Sequence, residues 1–348
     1  MNRKHFLSSL LAAGATLPAI QSAAAFIPQE VNQQSHLPPY LKKGDIIGIT
    51  SPAGYIKKEE IADAIRIIES WGFVVRLGTT IGLKDGSFGG TDQQRAADFQ
   101  AMMDNPDIKA ILCARGGYGC ARIIDHLNFE NFRKKPKWII GFSDITALHS
   151  HVNSQFQIAS LHSKMCNSFP SDLRGSDPVM QDTINSIYQS LTGVKMQYRA
   201  DNDAHNRIGK ATAPVVGGNL SVLQSVSGTP SEIDTNGKIL FLEEVGEYLY
   251  NLDRMLGTLE RSGKLSHLKG LIIGGFNRIK PDDPGEEFGR TIYDIVFERV
   301  KMYNYPICFN FPVGHQRNNY ALKSNAVHTL EVTNTGATLT EQLISQRT

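Results

Sequence analysis

From Asp45 onward, short apolar runs alternate with segments of helical periodicity, and this alternation constrains the fold more than any other feature of the chain. Asp45-Ile-Ile-Gly-Ile-Thr50 reads as a strand and Ser51-Pro-Ala-Gly-Tyr55 as the turn after it. Over 58–71, Ile61, Ala64, Ile65, Ile68 and Trp71 fall on one side of a helix; Gly72 ends it, and Phe73-Val-Val-Arg-Leu77 is the next strand. Strands at 109–114 and 137–142 and helices at 91–104, 120–127 and 145–153 continue the pattern. Short strands that are apolar throughout need cover on both faces, so the pattern predicts a parallel sheet wound on both sides by helices.

The character changes after residue 165. Pro170, Pro178 and several Asp, Asn and Ser residues occupy 166–210, with one helix expected at about 179–191, and this stretch reads as the connection between two domains. Beyond it, helices are expected at 219–227, 249–261 and 290–302, with strands at 238–243, 268–274 and 306–311. The Thr-rich segment Ala326 to Thr340 alternates weakly and fits one or two closing strands. The resulting division is a first α/β domain over 41–165, a connection over 166–210, and a second α/β domain over 211–345 with a mixed or barrel-like sheet. A chain of 348 residues accommodates two such cores.

The N-terminus is of another kind. Arg3 and Lys4 precede a mostly apolar run from Phe6 to Ile20, and Ala23-Ala24-Ala25 fits a small-residue cleavage site. This is the pattern of an export signal over 1–25, followed by a Pro-, Gln- and Ser-containing lead-in over 26–40. The apolar run falls short of the about 20 residues a membrane span needs, so an exported, periplasmic protein without a stable span is expected. Asn2-Arg-Lys-His-Phe-Leu7 resembles a twin-arginine signal, but Lys4 replaces the second arginine and the route stays open.

Charge excludes one class of partner. The 36 Lys and Arg nearly balance the 34 Asp and Glu, and no basic stripe is present, so nucleic-acid binding is not expected. The four cysteines are spaced at intervals of 7, 46 and 142, which match no zinc pattern. Cys113 and Cys308 lie in apolar strand-like runs and read as buried free thiols, whereas the state of Cys120 and Cys166 stays open.

Two segments combine a strand end with a helix start. In Lys137-Trp-Ile-Ile-Gly-Phe-Ser-Asp-Ile-Thr-Ala-Leu148, an apolar strand runs directly into Ser143 and a helix begins at once. Such a turn exposes a hydroxyl above the sheet edge, beside backbone N–H groups able to stabilise an oxyanion. Alternatively, Ser143 or Asp144 only caps the helix. In Cys113-Ala-Arg-Gly-Gly-Tyr-Gly-Cys120, three glycines allow close backbone approach. The loop lacks the complete dinucleotide fingerprint, and no Gly-Lys-Ser or Gly-Lys-Thr follows, so no nucleotide cofactor is expected. Arg115 in this loop either binds a substrate carboxylate or makes a structural ion pair, and Cys120 at the helix start is a rival nucleophile.

A serine nucleophile needs a base and the base an orienting group. His149, His151, His162 and His315 are the competing bases; His149, six residues past Ser143 on the helix, is expected to point away from the turn. Carboxylates are offered by Ile239-Leu-Phe-Leu-Glu-Glu-Val245 and by Glu247 and Asp253, a group whose spacing matches no known metal motif.

Six motifs in order resolve these alternatives: Ser51-Pro-Ala-Gly54, Arg115-Gly-Gly-Tyr-Gly119, Gly141-Phe-Ser-Asp-Ile-Thr-Ala-Leu148, Gly217-Gly-Asn-Leu220, Leu242-Glu-Glu-Val245 with Glu247, and Gly314-His-Gln-Arg317. Together they resemble the LD-carboxypeptidase family of serine peptidases, over nearly the whole chain from Gly44 to Thr335. The resemblance implies a triad of Ser143, Glu243 and His315, with a flavodoxin-like, doubly wound first domain carrying the nucleophile and the second domain carrying its partners. It implies an oxyanion hole from the backbone of Asp144, Gly116 and Gly117, no metal or other cofactor, and a possible homodimer. The implied substrates are peptidoglycan stem tetrapeptides, cut before the terminal D-Ala, or alternatively the peptide-nucleotide antibiotics that related immunity peptidases degrade. A non-catalytic wall-peptide binder on the same fold is the third alternative. Arg115, with Arg317 behind it, is the candidate for the substrate carboxylate. The chain departs from the family where His-Gly-Pro is common: it reads Leu161-His-Ser-Lys-Met165.

Overall fold

A computed structural model of the protein describes residues 35–342. The expected export signal and residues 26–34 of the lead-in lie outside the described residues. Among the described residues no helix is long and apolar enough to cross a membrane.

The first half follows the predicted alternation: β1 (Ile46–Thr50), α1 (Ala62–Ser70), β2 (Val74–Leu77), α2 (Asp92–Asp104), β3 (Ile108–Cys113), α3 (Cys120–Ile123), α4 (Glu130–Lys134), β4 (Trp138–Gly141), α5 (Thr146–Phe156) and β5 (Ser160–His162). These strands are parallel, in the order β2-β1-β3-β4-β5. That is the flavodoxin-like order, whose crevice lies at the carboxyl ends of β1 and β3. The local signals are physical. Thr91 and Gln94 form a reciprocal capping box that starts α2, and every residue of β4 is buried. One face of the sheet packs Ala64, Ile67 and Ile68 of α1. The other packs Phe99 of α2, Phe132 of α4 and Leu148 and Val152 of α5.

The second half adds α6 (Pro178–Leu191), β6 (Gln197–Ala200), β7 (Gly209–Asn219), α7 (Leu220–Ser225), β8 (Ile239–Val245), α8 (Leu249–Arg261), β9 (Gly270–Asn277), α9 (Ile292–Val300), β10 (Ile307–Cys308), β11 (Leu322–Ser324), β12 (Val327–Thr333) and β13 (Gly336–Glu341). Its seven-stranded sheet, β10-β9-β8-β7-β12-β13-β6, is mixed rather than barrel-like. The four strands β10, β9, β8 and β7 run parallel, and β12, β13 and β6 are antiparallel additions.

The stretch read as a connection serves both halves. Ile184, Ile187 and Leu191 of α6 pack in the α1-side core of the first sheet, and β6 closes the edge of the second. The last segment also divides its service. β11 pairs antiparallel with β5 at the edge of the first sheet, whereas β12 pairs with β7 in the second.

A buried ion pair joins these layers. Lys323 Nζ of β11 lies 2.8 Å from Glu341 Oε1 and donates at 3.0 Å to Oε2, with both side chains almost wholly buried. Lys323→Met, which leaves Glu341 charged and unmatched, is expected to cost about 3–5 kcal/mol in urea denaturation, while Lys323→Met with Glu341→Leu recovers most of the loss. A single variant within about 0.5 kcal/mol of wild type would refute the assignment.

Candidate active site

Three loops meet at the carboxyl edge of the first sheet, after β1, β3 and β4. Arg95 of α2, fully buried, holds two of them: Nη1 donates to Pro52 O at 2.5 Å and to Gly119 O at 2.9 Å. Nothing in the local sequence marked this arginine, because its role depends on carbonyls 43 and 24 residues away.

Ser143 follows β4 with φ +60°, a left-handed conformation that a serine adopts at a cost. The turn is secured from beneath. Gly141 O accepts from Ser163 N at 3.0 Å and lies 2.9 Å from His149 Nε2. His149 therefore folds back under the turn, and its distance from Ser143 along the helix is what allows this. Asp144, also buried, accepts the Cys120 N–H on Oδ2 at 2.8 Å and so fixes the glycine loop against the serine; burial raises its carboxyl above the ordinary range. Gly116 faces the serine directly: a Cβ there would lie 3.0 Å from Ser143 Cβ and 3.2 Å from Oγ. The Gly116 and Gly117 N–H groups have no partner among the described residues, and that of Asp144 lies in a first helical turn, where amides lack intrahelical acceptors.

Cys120 is a poor rival. It is fully buried, and desolvation pushes its thiol well above the usual value, so the thiolate is disfavoured. Cys113, Cys166 and Cys308 are also buried and free.

The second sheet supplies the other groups. At the end of β8, the adjacent carboxylates go separate ways, and a register shift against β9 marks this point. Glu244 accepts from Asn219 Nδ2 at 2.8 Å and from Ser221 N at 2.7 Å, which ties it to the start of α7. Glu243, fully buried, accepts on Oε2 from His315 Nδ1 at 2.5 Å and from His315 N at 3.2 Å. The His315 loop is held by Asn277 Nδ2, which donates to His315 O at 2.6 Å, and by Asn319 Oδ1, which accepts from Gly314 N at 2.8 Å. Neither asparagine was picked out from sequence, since each acts through backbone atoms of a distant loop.

The halves meet at this point. The His315 ring lies against Phe142, the residue before Ser143, with ring centroids 4.8 Å apart. Asn219 N donates to Thr146 Oγ1 at 3.1 Å, and Gly218 leaves room for that threonine. The structure thus sets Gly116 against Ser143, and the Glu243–His315 pair against Phe142, the residue before Ser143. Ser143 and His315 are not hydrogen-bonded to each other. With Nδ1–H donated to the carboxylate, Nε2 is the free ring nitrogen, able to take a proton.

The arginines are placed differently. Arg115 is exposed, donates to Tyr55 O at 3.0 Å and lines a separate cavity with Lys84 and Tyr118. Arg317 lines the same cavity as His315 but is paired with Asp177 at 2.7 Å. Lys164, part of the departure from the family's His-Gly-Pro motif, lines the His315 cavity too. The remaining acids of the local group have their own partners: Glu247 accepts from Asn251, and Asp253 pairs with Arg299.

Two further histidines lie near the site, both fully buried. Burial holds His149 down at about 4 and His162, whose ring packs edge-on against Phe241, well below its ordinary value. His328 of β12 is likewise held at about 4. A base whose folded pKa is depressed binds fewer protons folded than unfolded, so its stabilisation is complete above about pH 6.5 and lost as pH falls toward 4. His149 and His328 each contribute about 3 kcal/mol this way. The raised carboxyls of Asp144 and Glu244 act in the opposite sense, in the more acidic part of that range. Urea midpoints measured from pH 7.5 to 5 are expected to fall steadily, and less steeply for His328→Asn; flat midpoints would contradict this.

Models of known families match both halves: the LD-carboxypeptidase N-terminal domain over residues 47–163 and the LD-carboxypeptidase C-terminal domain over 212–330. The chain is 33% identical to a probable murein peptide carboxypeptidase of Bacillus subtilis, across 81% of this chain and 87% of that protein. It is 25% identical to the microcin C7 self-immunity protein MccF of Escherichia coli, across 90% and 98%. The crystal structure of muramoyltetrapeptide carboxypeptidase from Oxalobacter formigenes superposes with a TM-score of 0.76 at 25% identity, covering 86% of this chain and 99% of that one. With both domains matched in order and the parallel and mixed sheets in place, the chain belongs to the LD-carboxypeptidase family.

Proposed function

We propose that the protein is an exported serine carboxypeptidase that removes the terminal D-Ala from murein stem tetrapeptides through an acyl-enzyme on Ser143. The observation that supports this reading is a histidine bonded to a fully buried glutamate and packed against Phe142, the residue before a serine strained at φ +60°. His315 Nε2 takes the Ser143 proton as Oγ attacks the carbonyl, and returns it to the leaving amine. Glu243 fixes the imidazole tautomer and stabilises its cation. The amides of Asp144, Gly116 and Gly117 receive the oxyanion. Water then attacks the acyl-enzyme with His315 as base, freeing the tripeptide. Export is supported by the Arg3-Lys4, Phe6–Ile20 and Ala23–Ala25 pattern and places the enzyme where wall peptides are accessible.

The test is incubation of the mature protein with muropeptide tri-, tetra- and pentapeptides and with an aminoacyl sulfamoyl nucleoside, and measurement of released D-Ala or amino acid by mass. D-Ala from the tetrapeptide alone is the expected result. Release from the nucleoside alone would move the protein to the antibiotic-degrading reading, and no release from any would leave a binding protein.

A further inference from the structure

We propose that Lys164 and Arg278 form a subsite that holds a substrate carboxylate beside His315, and that Lys164 sets the preference for it. This rests on the peptidase reading above and adds the chemistry of what occupies the crevice. A cavity of about 590 Å³ opens at His315, lined among others by Phe142, Lys164, Arg278 and Arg317. No aspartate or glutamate lines it. Of its three cations only Arg317 has an acidic partner, Asp177. Lys164 and Arg278 form no ion pair with any described residue.

Lys164 is the informative member. Its ammonium is partly buried, donates to Gln316 O at 2.7 Å and stands 5.8 Å from the centroid of the Phe142 ring. An ammonium has three donors, and one neutral carbonyl satisfies only one of them and none of the charge. Desolvation accordingly lowers its pKa, which the negative Glu243 only partly offsets. A carboxylate entering the cavity would supply the missing counter-charge and two acceptors in a site where water is partly excluded. Its position is suited to substrate selection: Lys164 bonds the backbone of the residue after His315 and approaches the ring of the residue before Ser143. Lys164 stands in the stretch Leu161–Met165, where His-Gly-Pro is common in the family.

Two carboxylates of a stem peptide could fill the subsite: the C-terminal one, and the side-chain one of a third-position diaminopimelate. Four tetrapeptides separate them, with diaminopimelate or lysine at position three, each as free acid or C-terminal amide. Wild type, Lys164→Met, Lys164→Arg and Arg278→Gln would be assayed for kcat and KM. Loss of the carboxylate that occupies the subsite is expected to raise the wild-type KM about tenfold. Lys164→Met should impose the same rise on peptides that keep that carboxylate and little on those that lack it. Lys164→Arg should restore the preference, and Arg278→Gln should weaken it. The proposal is overturned if wild type treats all four alike, or if Lys164→Met lowers kcat on all four equally, the signature of a lysine that only pins Gln316. If wild type cleaves none of them, the proposed function fails, but calorimetric binding of the same peptides still decides: a Lys164-dependent preference supports the subsite, and equal or absent binding overturns it.

Discussion

Ser143→Ala is expected to lower kcat for tetrapeptide cleavage by roughly 10⁴–10⁶-fold while peptide binding persists. In the proposed mechanism the Ser143 hydroxyl forms the acyl bond: Gly116 packs against it, and the rival Cys120 is buried with its thiol pushed up. The same position should show a conflict between stability and activity. Serine at φ +60° costs about 1–2 kcal/mol relative to a relaxed backbone. Ser143→Gly is therefore expected to raise stability by about 1 kcal/mol in urea denaturation and to be as inactive as alanine. Retained turnover in either variant would remove Ser143 from the chemistry.

Gly314→Ala should damage fold and site together. Gly314 has φ +99°, and a Cβ there would lie 2.4 Å from Glu243 Cβ and 2.7 Å from its Cγ. Contacts this short force the loop away from β8. Glu243, fully buried, would then lose both hydrogen bonds from His315. An unmatched buried carboxylate together with a strained backbone predicts a loss of about 3–5 kcal/mol. A base displaced by an ångström predicts at least about a hundredfold fall in kcat. Gly285→Ala is the control, with φ +86° and nothing within 4 Å of the new Cβ, so that only the backbone cost of about 1 kcal/mol applies. Similar losses for both variants would show that the collision with Glu243 is not what matters.

What could be read beforehand was whatever is written locally. β1, β3, β4, β8 and β9 are built around apolar runs, and α1, α2, α6 and α8 have apolar faces or caps, so all were legible from local sequence. β7 was missed because it changes partners along its length. Its first residues lie antiparallel to β12 and alternate in burial, and its last residues lie in the parallel core. β11, Leu-Lys-Ser, gives no strand signal; its lysine is buried only because Glu341, 18 residues later, is there to meet it. At the site, Ser143 was marked by its own strand and helix. The choice of Glu243 and His315 came from family resemblance, and the three-dimensional arrangement sends Glu243 toward His315 and Glu244 toward α7.

The crossing between β11 and β12 limits what the two halves can be. At Asn325, with φ +63° and its N–H donated to Val215 O, the chain leaves the edge of the first sheet and enters the second within two residues. The strand that closes the first sheet is thus encoded more than 150 residues after the strand it covers. The two matched domains are units of sequence similarity, not of inheritance that could be traded separately: a first half transplanted alone would carry β5 as a bare edge. Diversification of substrate choice in such a chain is confined to point changes and loop exchange around a crevice whose two walls must be acquired together.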